Sequence, residues 1–136
     1  MQTSKRKILL IEDDLSLEPM LSSILHDIDP SIEMDSVTSA EAAISKLEEA
    51  QRSSKKNPYE LIIADIFLDG KITGVDFWDL CRNIYPKMPT LVMSGLPLNK
   101  FFDFIGPNNV CPPFLEKPLH LLECRQTLQR MLNYGQ

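Results

Sequence analysis

No apolar run in this 136-residue chain approaches the ~20 residues that would span a bilayer. The polar start, Met1-Gln2-Thr3-Ser4, lacks the apolar stretch of a signal peptide. A membrane partner is therefore not expected. Cysteine is scarce: Cys81, Cys111 and Cys124 are odd in number and widely spaced. That argues against a disulfide framework or a zinc site and fits a reducing compartment, so a cytoplasmic location is expected. Positive charge is in deficit, with 14 Lys and Arg against 19 Asp and Glu for a net charge of −5. Direct nucleic-acid binding is disfavoured on those grounds, and Ser4-Lys5-Arg6-Lys7 reads as a solvated lead-in to the first strand. Neither a Gly-x-Gly-x-x-Gly run nor a P-loop follows that strand, which disfavours a nucleotide-binding fold. There are no internal repeats and no low-complexity tract, and no second domain is expected within these residues. One domain is expected over 1–136, structured from about 6 to 133.

What the chain does contain is a strand-helix alternation repeated five times. Four apolar runs each end at a polar group. Ile8-Leu9-Leu10-Ile11 ends at Glu12-Asp13-Asp14, and Leu61-Ile62-Ile63-Ala64 at Asp65. Thr90-Leu91-Val92-Met93 ends at Ser94, and Phe114-Leu115-Glu116 at Lys117-Pro118. Such runs predict buried parallel strands, and their alternation with helices predicts a sheet covered on both faces. Ile32 to Val37 alternates as a further strand. Leu17, Met20, Leu21, Ile24, Leu25 and Ile28 predict a first helix from about Ser16 to Asp29, with Pro19 tolerated in its first turn. Thr38 and Glu41 have capping-box spacing ahead of Ala40, Ala43, Ile44 and Leu47. A third helix is expected over about Val75 to Tyr85, with Trp78, Cys81 and Tyr85 on one stripe. A short fourth helix, confined by Pro97 and Gly106-Pro107, should turn Leu98, Phe101, Phe102 and Ile105 inward and leave Phe104 partly exposed. The last helix begins near Leu119, with Leu121, Cys124, Leu128, Met131 and Leu132 inward. His26 and His120 read as surface or half-buried helix residues. Periodicity leaves the strand order open.

Open parallel sheets gather their chemistry at the carboxyl ends of the strands, so these carboxylates, the hydroxyl and the ammonium should meet at one edge. Three carboxylates there repel one another and suit a hard divalent cation, and Mg²⁺ prefers a few carboxylates with waters and phosphate oxygens. An ammonium alongside suits a phosphoryl group. The metal and Lys117 would neutralise its oxygens while Asp65 attacks phosphorus, and Ser94 could donate to another oxygen. The product would be an aspartyl phosphate.

Four pieces carry a resemblance: Ile8-Leu9-Leu10-Ile11-Glu12-Asp13-Asp14, Leu61-Ile62-Ile63-Ala64-Asp65-Ile66-Phe67-Leu68, Met93-Ser94-Gly95 and Phe114-Leu115-Glu116-Lys117-Pro118. In this order and spacing the chain resembles the receiver domain of bacterial two-component response regulators over nearly its whole length. The resemblance implies a flavodoxin-like α/β fold, a doubly wound five-stranded parallel sheet of order 2-1-3-4-5 with five helices. It implies Asp65 as the phosphoacceptor. It implies a Mg²⁺ or Mn²⁺ site from Glu12, Asp13, Asp65 and the backbone carbonyl of Phe67, with Asp13 a direct ligand and Glu12 acting through water. Ser94 and Lys117 would bind the phosphoryl group, Ser94 and Phe114 would form the switch, and the Lys117-Pro118 peptide would be cis. The implied donor is a sensor histidine kinase or a histidine phosphotransfer protein. The implied reader is a downstream protein or a second copy, on the face of the fourth helix, fifth strand and fifth helix.

On this reading the chain is a phosphorylation-controlled switch and not an enzyme, although it mediates its own phosphoryl transfer and the hydrolysis of its aspartyl phosphate. A pseudo-receiver interaction module typically loses an acid or the lysine, and all are retained here. An aspartate-nucleophile phosphohydrolase of the haloacid-dehalogenase type needs a second acid two residues past the nucleophile, where this chain has Phe67. There are departures from the family pattern. Asp69 stands where proline is common, and Gly74 comes one residue late, which predicts a shifted start for the third helix. Phe114 lacks the hydroxyl of the commoner tyrosine, and the fourth helix is not alanine-rich.

Overall fold

The computed structural model describes residues 6–53, 57–67, 73–105 and 112–132, with every side chain in them except those of Leu98 and Phe104. Cys111 and residues 68–72 lie outside the described residues, and the expectation for Phe104 concerns a side chain outside them.

Ten elements alternate: β1 (Arg6–Ile11), α1 (Leu17–Ile28), β2 (Ile32–Val37), α2 (Ala40–Arg52), β3 (Leu61–Asp65), α3 (Gly74–Ile84), β4 (Thr90–Ser94), α4 (Leu98–Ile105), β5 (Phe114–Glu116) and α5 (Leu121–Met131). The five strands are all parallel, in the order β2-β1-β3-β4-β5. This is the doubly wound, flavodoxin-like arrangement.

The two-residue period of the strands sorts the core into layers. Ile8, Leu10, Leu61, Ile63, Leu91 and Met93 face α1 and α5, where Leu21, Ile24, Leu25, Cys124 and Leu128 meet them. Leu9, Ile11, Ile62 and Ala64 face the other way, onto Ala40, Ala43 and Leu47 of α2 and Phe77 and Cys81 of α3. Each such aliphatic side chain contributes roughly 1.5–3 kcal/mol by leaving water. That is why β3 and β4, buried at every position, are almost wholly apolar until their last residue, with Thr90 at the start of β4 the exception. A third cluster of Ile66, Trp78, Val92, Phe101 and Ile105 lies under α4. Among the described residues, no helix is long and apolar enough to cross a membrane.

The structure revises three local expectations. The N-cap of α2 is Ser39, not Thr38: its hydroxyl accepts from the Ala42 N–H at 3.1 Å. Both residues can cap, and the chain direction out of β2 selects the second. Phe102 is 47% exposed while Phe101 and Ile105 are buried. An eight-residue helix presents one narrow stripe; the pair four residues apart fills it, and Phe102 lies about 100° round the helix. Leu121 is 63% exposed although it falls in line with Cys124 and Leu128. Leu119, just before the helix, packs against their layer instead, and the first turn of α5 leaves Leu121 in solvent.

At the other end of the sheet, Tyr59 donates its hydroxyl to Asp35 Oδ2 at 2.7 Å, and Lys7 Nζ lies 3.4 Å from the same oxygen. Burial pushes the Asp35 carboxyl up, but the Tyr59 hydrogen bond and the Lys7 charge outweigh it and leave it below its ordinary value. A carboxylate depressed in the folded state contributes stability above its unfolded value and loses it as the pH falls through the folded one. Tyr59→Phe should therefore cost about 1 kcal/mol at neutral pH. That deficit should fade below about pH 4, and urea melts at the two pH values check it.

Candidate functional site

Strand register brings the polar groups together. Ile11 pairs with Ala64, Asp65 with Met93, and Ser94 with Glu116, so the residues that end or follow β1, β3, β4 and β5 share one edge. The order 2-1-3 makes the chain leave β1 and β3 in opposite directions. That opens a crevice where Glu12 and Asp65 stand.

Lys117 ties the site together. Its Nζ donates to Glu12 Oε2 at 2.8 Å and to Asp65 Oδ2 at 2.7 Å. The second oxygens are also held: Glu12 Oε1 accepts from the Asp14 N–H at 2.9 Å and Asp65 Oδ1 from the Phe67 N–H at 3.1 Å. Glu12 and Asp65 are nearly buried, at 3% and 6% exposure, and Asp13 is exposed. Burial pushes the Glu12 carboxyl above its ordinary value, against the lowering pull of the Lys117 and Asp14 donors, and the Asp65 charge adds to the rise. Burial alone would lower the Lys117 ammonium. Its hydrogen bonds and charge contacts with Asp65 and Glu12 outweigh that and raise it, so it stays charged at neutral pH.

Carboxylate oxygens of Glu12, Asp13 and Asp65 lie within 4.8 Å of one another. This is an all-oxygen donor set with one member open to solvent, which fits a hard cation that keeps several waters. Asp14 stands apart from it: Oδ1 accepts from the Ser16 N–H at 3.0 Å and from the Ser16 hydroxyl at 2.7 Å, shaping the turn into α1.

Ser94 is fully buried. Its hydroxyl oxygen accepts from the Leu96 N–H at 2.9 Å, leaving its proton available to another acceptor. Its carbonyl accepts from the Lys117 N–H at 2.7 Å, which joins the ends of β4 and β5. The Lys117–Pro118 peptide is cis. Phe114 is half-buried with its ring edge-on to Phe101, centroids 4.6 Å apart, against the cluster under α4. The Phe67 side chain is 52% exposed.

One feature of the site has no counterpart among the chemical groups read from the sequence. Gly74, the first residue of α3, lies directly against the Asp65 backbone. The late glycine was the only sequence signal that could have pointed to it.

No family profile matches the chain, and no curated protein matches it by sequence. Solved structures do match in shape. A response regulator receiver protein from Sinorhizobium medicae superposes with a TM-score of 0.73 at 23% identity, covering 96% of this chain and 96% of its own. A chemotaxis response regulator of Vibrio cholerae gives 0.69 at 22%, covering 94% and 99%. A receiver domain from Leptospira biflexa gives 0.65 at 21%, covering 97% and 98%. The chain has the receiver-domain fold.

Proposed function

We propose that this chain is a two-component receiver that accepts a phosphoryl group on Asp65 and works as a phosphorylation-controlled switch. The observation that carries this reading is the Lys117 ammonium held between Glu12 and Asp65 beside a three-carboxylate cluster, at the chemical edge of a receiver fold. An Asp65 oxygen attacks phosphorus. An oxygen–phosphorus bond forms as the donor's bond to phosphorus breaks, and the donor leaves with that electron pair. Lys117 passes from the carboxylate to a phosphoryl oxygen, and the Ser94 hydroxyl donates to another. Glu12, Asp13, Asp65 and the Phe67 carbonyl would hold Mg²⁺ or Mn²⁺, which when bound neutralises charge on the phosphoryl group. The donor on this reading is a sensor histidine kinase or histidine phosphotransfer protein, and small donors such as acetyl phosphate stand in for it.

The test separates neighbouring acids. With acetyl phosphate and Mg²⁺, Asp13→Ala should lose incorporation and Asp14→Ala should keep most of it. Asp13 belongs to the carboxylate cluster, and Asp14 is engaged with Ser16. The reverse pattern, followed by intact mass, would shift the site by one residue and overturn this ligand set.

Phosphate lifetime follows from the residues two past Asp65 and two past Ser94. Hydrolysis needs a water in line with the bond to phosphorus, and Phe67 and Leu96 offer it no hydrogen bond. The Phe67→Asn, Leu96→Glu double variant should lose its phosphoryl group faster than the parent, on the order of tenfold. Equal or slower decay in the double variant refutes this.

On this reading, the surface read by a downstream protein or a second copy is that of α4, β5 and α5. The exposed aromatic there, among the described side chains, is Phe102. Phe101 links α4 to the Phe114 ring, so a movement of Phe114 as Ser94 turns to the phosphoryl group would reach this face.

A further inference from the structure

The peptide that follows Asp65 is held from two sides. Its N–H, that of Ile66, donates to the Met93 carbonyl at 3.0 Å. Its carbonyl, that of Asp65, lies where a side chain on Gly74 would be. An ideal Cβ there would fall 2.0 Å from the Asp65 carbonyl oxygen, 2.7 Å from its carbon and 2.9 Å from Ile66 Cα. These are backbone atoms of a buried strand end, so no flexible side chain can yield. The Gly74 N–H also donates to the Ile66 carbonyl at 2.9 Å.

The first turn of α3 is itself anchored. Thr73 and Asp76 form a reciprocal capping box: the Asp76 N–H donates to the Thr73 hydroxyl at 3.1 Å and the Thr73 N–H to Asp76 Oδ2 at 3.3 Å. Phe77, one turn in, is fully buried against Leu9, Ile11, Ile62 and Ala64. The helix cannot simply retreat from a new methyl group, so the acceptor peptide must move. Beyond that peptide, the Phe67 N–H holds Asp65 Oδ1. A shift of the peptide is thereby passed to the carboxylate that Lys117 and the other two acids face.

We propose that Gly74 is a positioning residue for phosphoryl acceptance: its missing side chain lets α3 rest on the Asp65–Ile66 peptide and sets where the Asp65 carboxylate stands relative to Glu12, Asp13 and Lys117. The inference rests on the receiver reading above. It assigns to a backbone contact what the polar residues alone do not account for, namely how the carboxylate keeps its place at the end of a strand.

The experiment compares the full chain with Gly74→Ala, Thr73→Val and a destabilised control, Leu128→Ala, whose cavity lies in the α1–α5 layer on the opposite face of the sheet. Mn²⁺ affinity is read by electron paramagnetic resonance and acetyl-phosphate incorporation by intact mass, both well below each protein's melting midpoint. Gly74→Ala should weaken Mn²⁺ binding and slow incorporation by about tenfold or more, since small misplacements of a reacting group cost that much. Thr73→Val, which loosens the helix start and adds nothing near Asp65, should slow incorporation by about threefold, a smaller share of the same effect. Leu128→Ala should bind and react like the parent although it melts lower. Parent-like binding and incorporation in Gly74→Ala overturn the proposal, as does an equal loss in Leu128→Ala. If Gly74→Ala does not fold, parent-like behaviour of Thr73→Val overturns it. Failure of the parent itself to label at Asp65 would instead strike the receiver reading.

Discussion

Asp65→Asn should take up no phosphoryl group from acetyl phosphate and Mg²⁺, whereas the parent chain should gain one. The amide is nearly isosteric with the carboxylate, and its oxygen can still accept the Phe67 N–H that now bonds Asp65 Oδ1 at 3.1 Å. It has no anionic oxygen to attack phosphorus, so loss of chemistry is expected without loss of fold. Lys117 keeps Glu12 as a partner at 2.8 Å, and one of three mutually repelling acids is gone. Stability should therefore change by no more than about 1 kcal/mol. Intact mass after incubation, with a thermal melt of the same sample, reads both halves. Undiminished labelling of a folded Asp65→Asn protein would move the acceptor elsewhere and end the present assignment.

Lys117→Gln should lower stability far more than Asp65→Asn. Glu12 and Asp65 are almost fully buried, and the ammonium bonds both. A glutamine can offer its amide protons to an oxygen but brings no charge, which leaves two carboxylates facing each other out of water. Removing one partner of a buried ion pair costs about 3–5 kcal/mol. Lys117 itself is 21% exposed, so water recovers part of this, and about 3 kcal/mol is expected. For a domain of this size that lowers the melting midpoint by roughly 10 °C. Mg²⁺ should return more stability to the variant than to the parent, because it supplies the missing positive charge at the same oxygens. At ten times its dissociation constant a ligand contributes about 1.4 kcal/mol to a protein that binds it only when folded. Melts with and without Mg²⁺ measure both effects. An unchanged midpoint in Lys117→Gln would mean that the three groups are not coupled as their distances indicate.

Much of the fold was legible because its signals are local. The runs ending at Glu12, Asp65 and Ser94 are strands because a strand buried on both faces admits little but apolar residues; these three and the short edge strand before Lys117 end at one edge. Where several local solutions were equally good, the sequence was a poor guide. Thr38 and Ser39 are both competent caps, and only the path of the chain out of β2 selects Ser39. Phe101 and Phe102 are identical in chemistry, and a two-turn helix has room to bury one. Leu121 keeps the period of α5, but Leu119 just ahead of the helix packs on the core in its stead. Gly74 gave the weakest signal of all, because a glycine's purpose lies in what approaches it.

By itself, then, the sequence determined which groups stand at the strand ends, through periodicities that act over a few residues. The tertiary structure decided what those groups are to one another. Lys117 reaches an acid 105 residues away and another 52 residues away. Those 2.8 Å and 2.7 Å contacts depend on strand order and on parallel register. Each of these is set by the joint packing of distant segments, which no local pattern encodes, because the free energy that selects it appears only when the layers close.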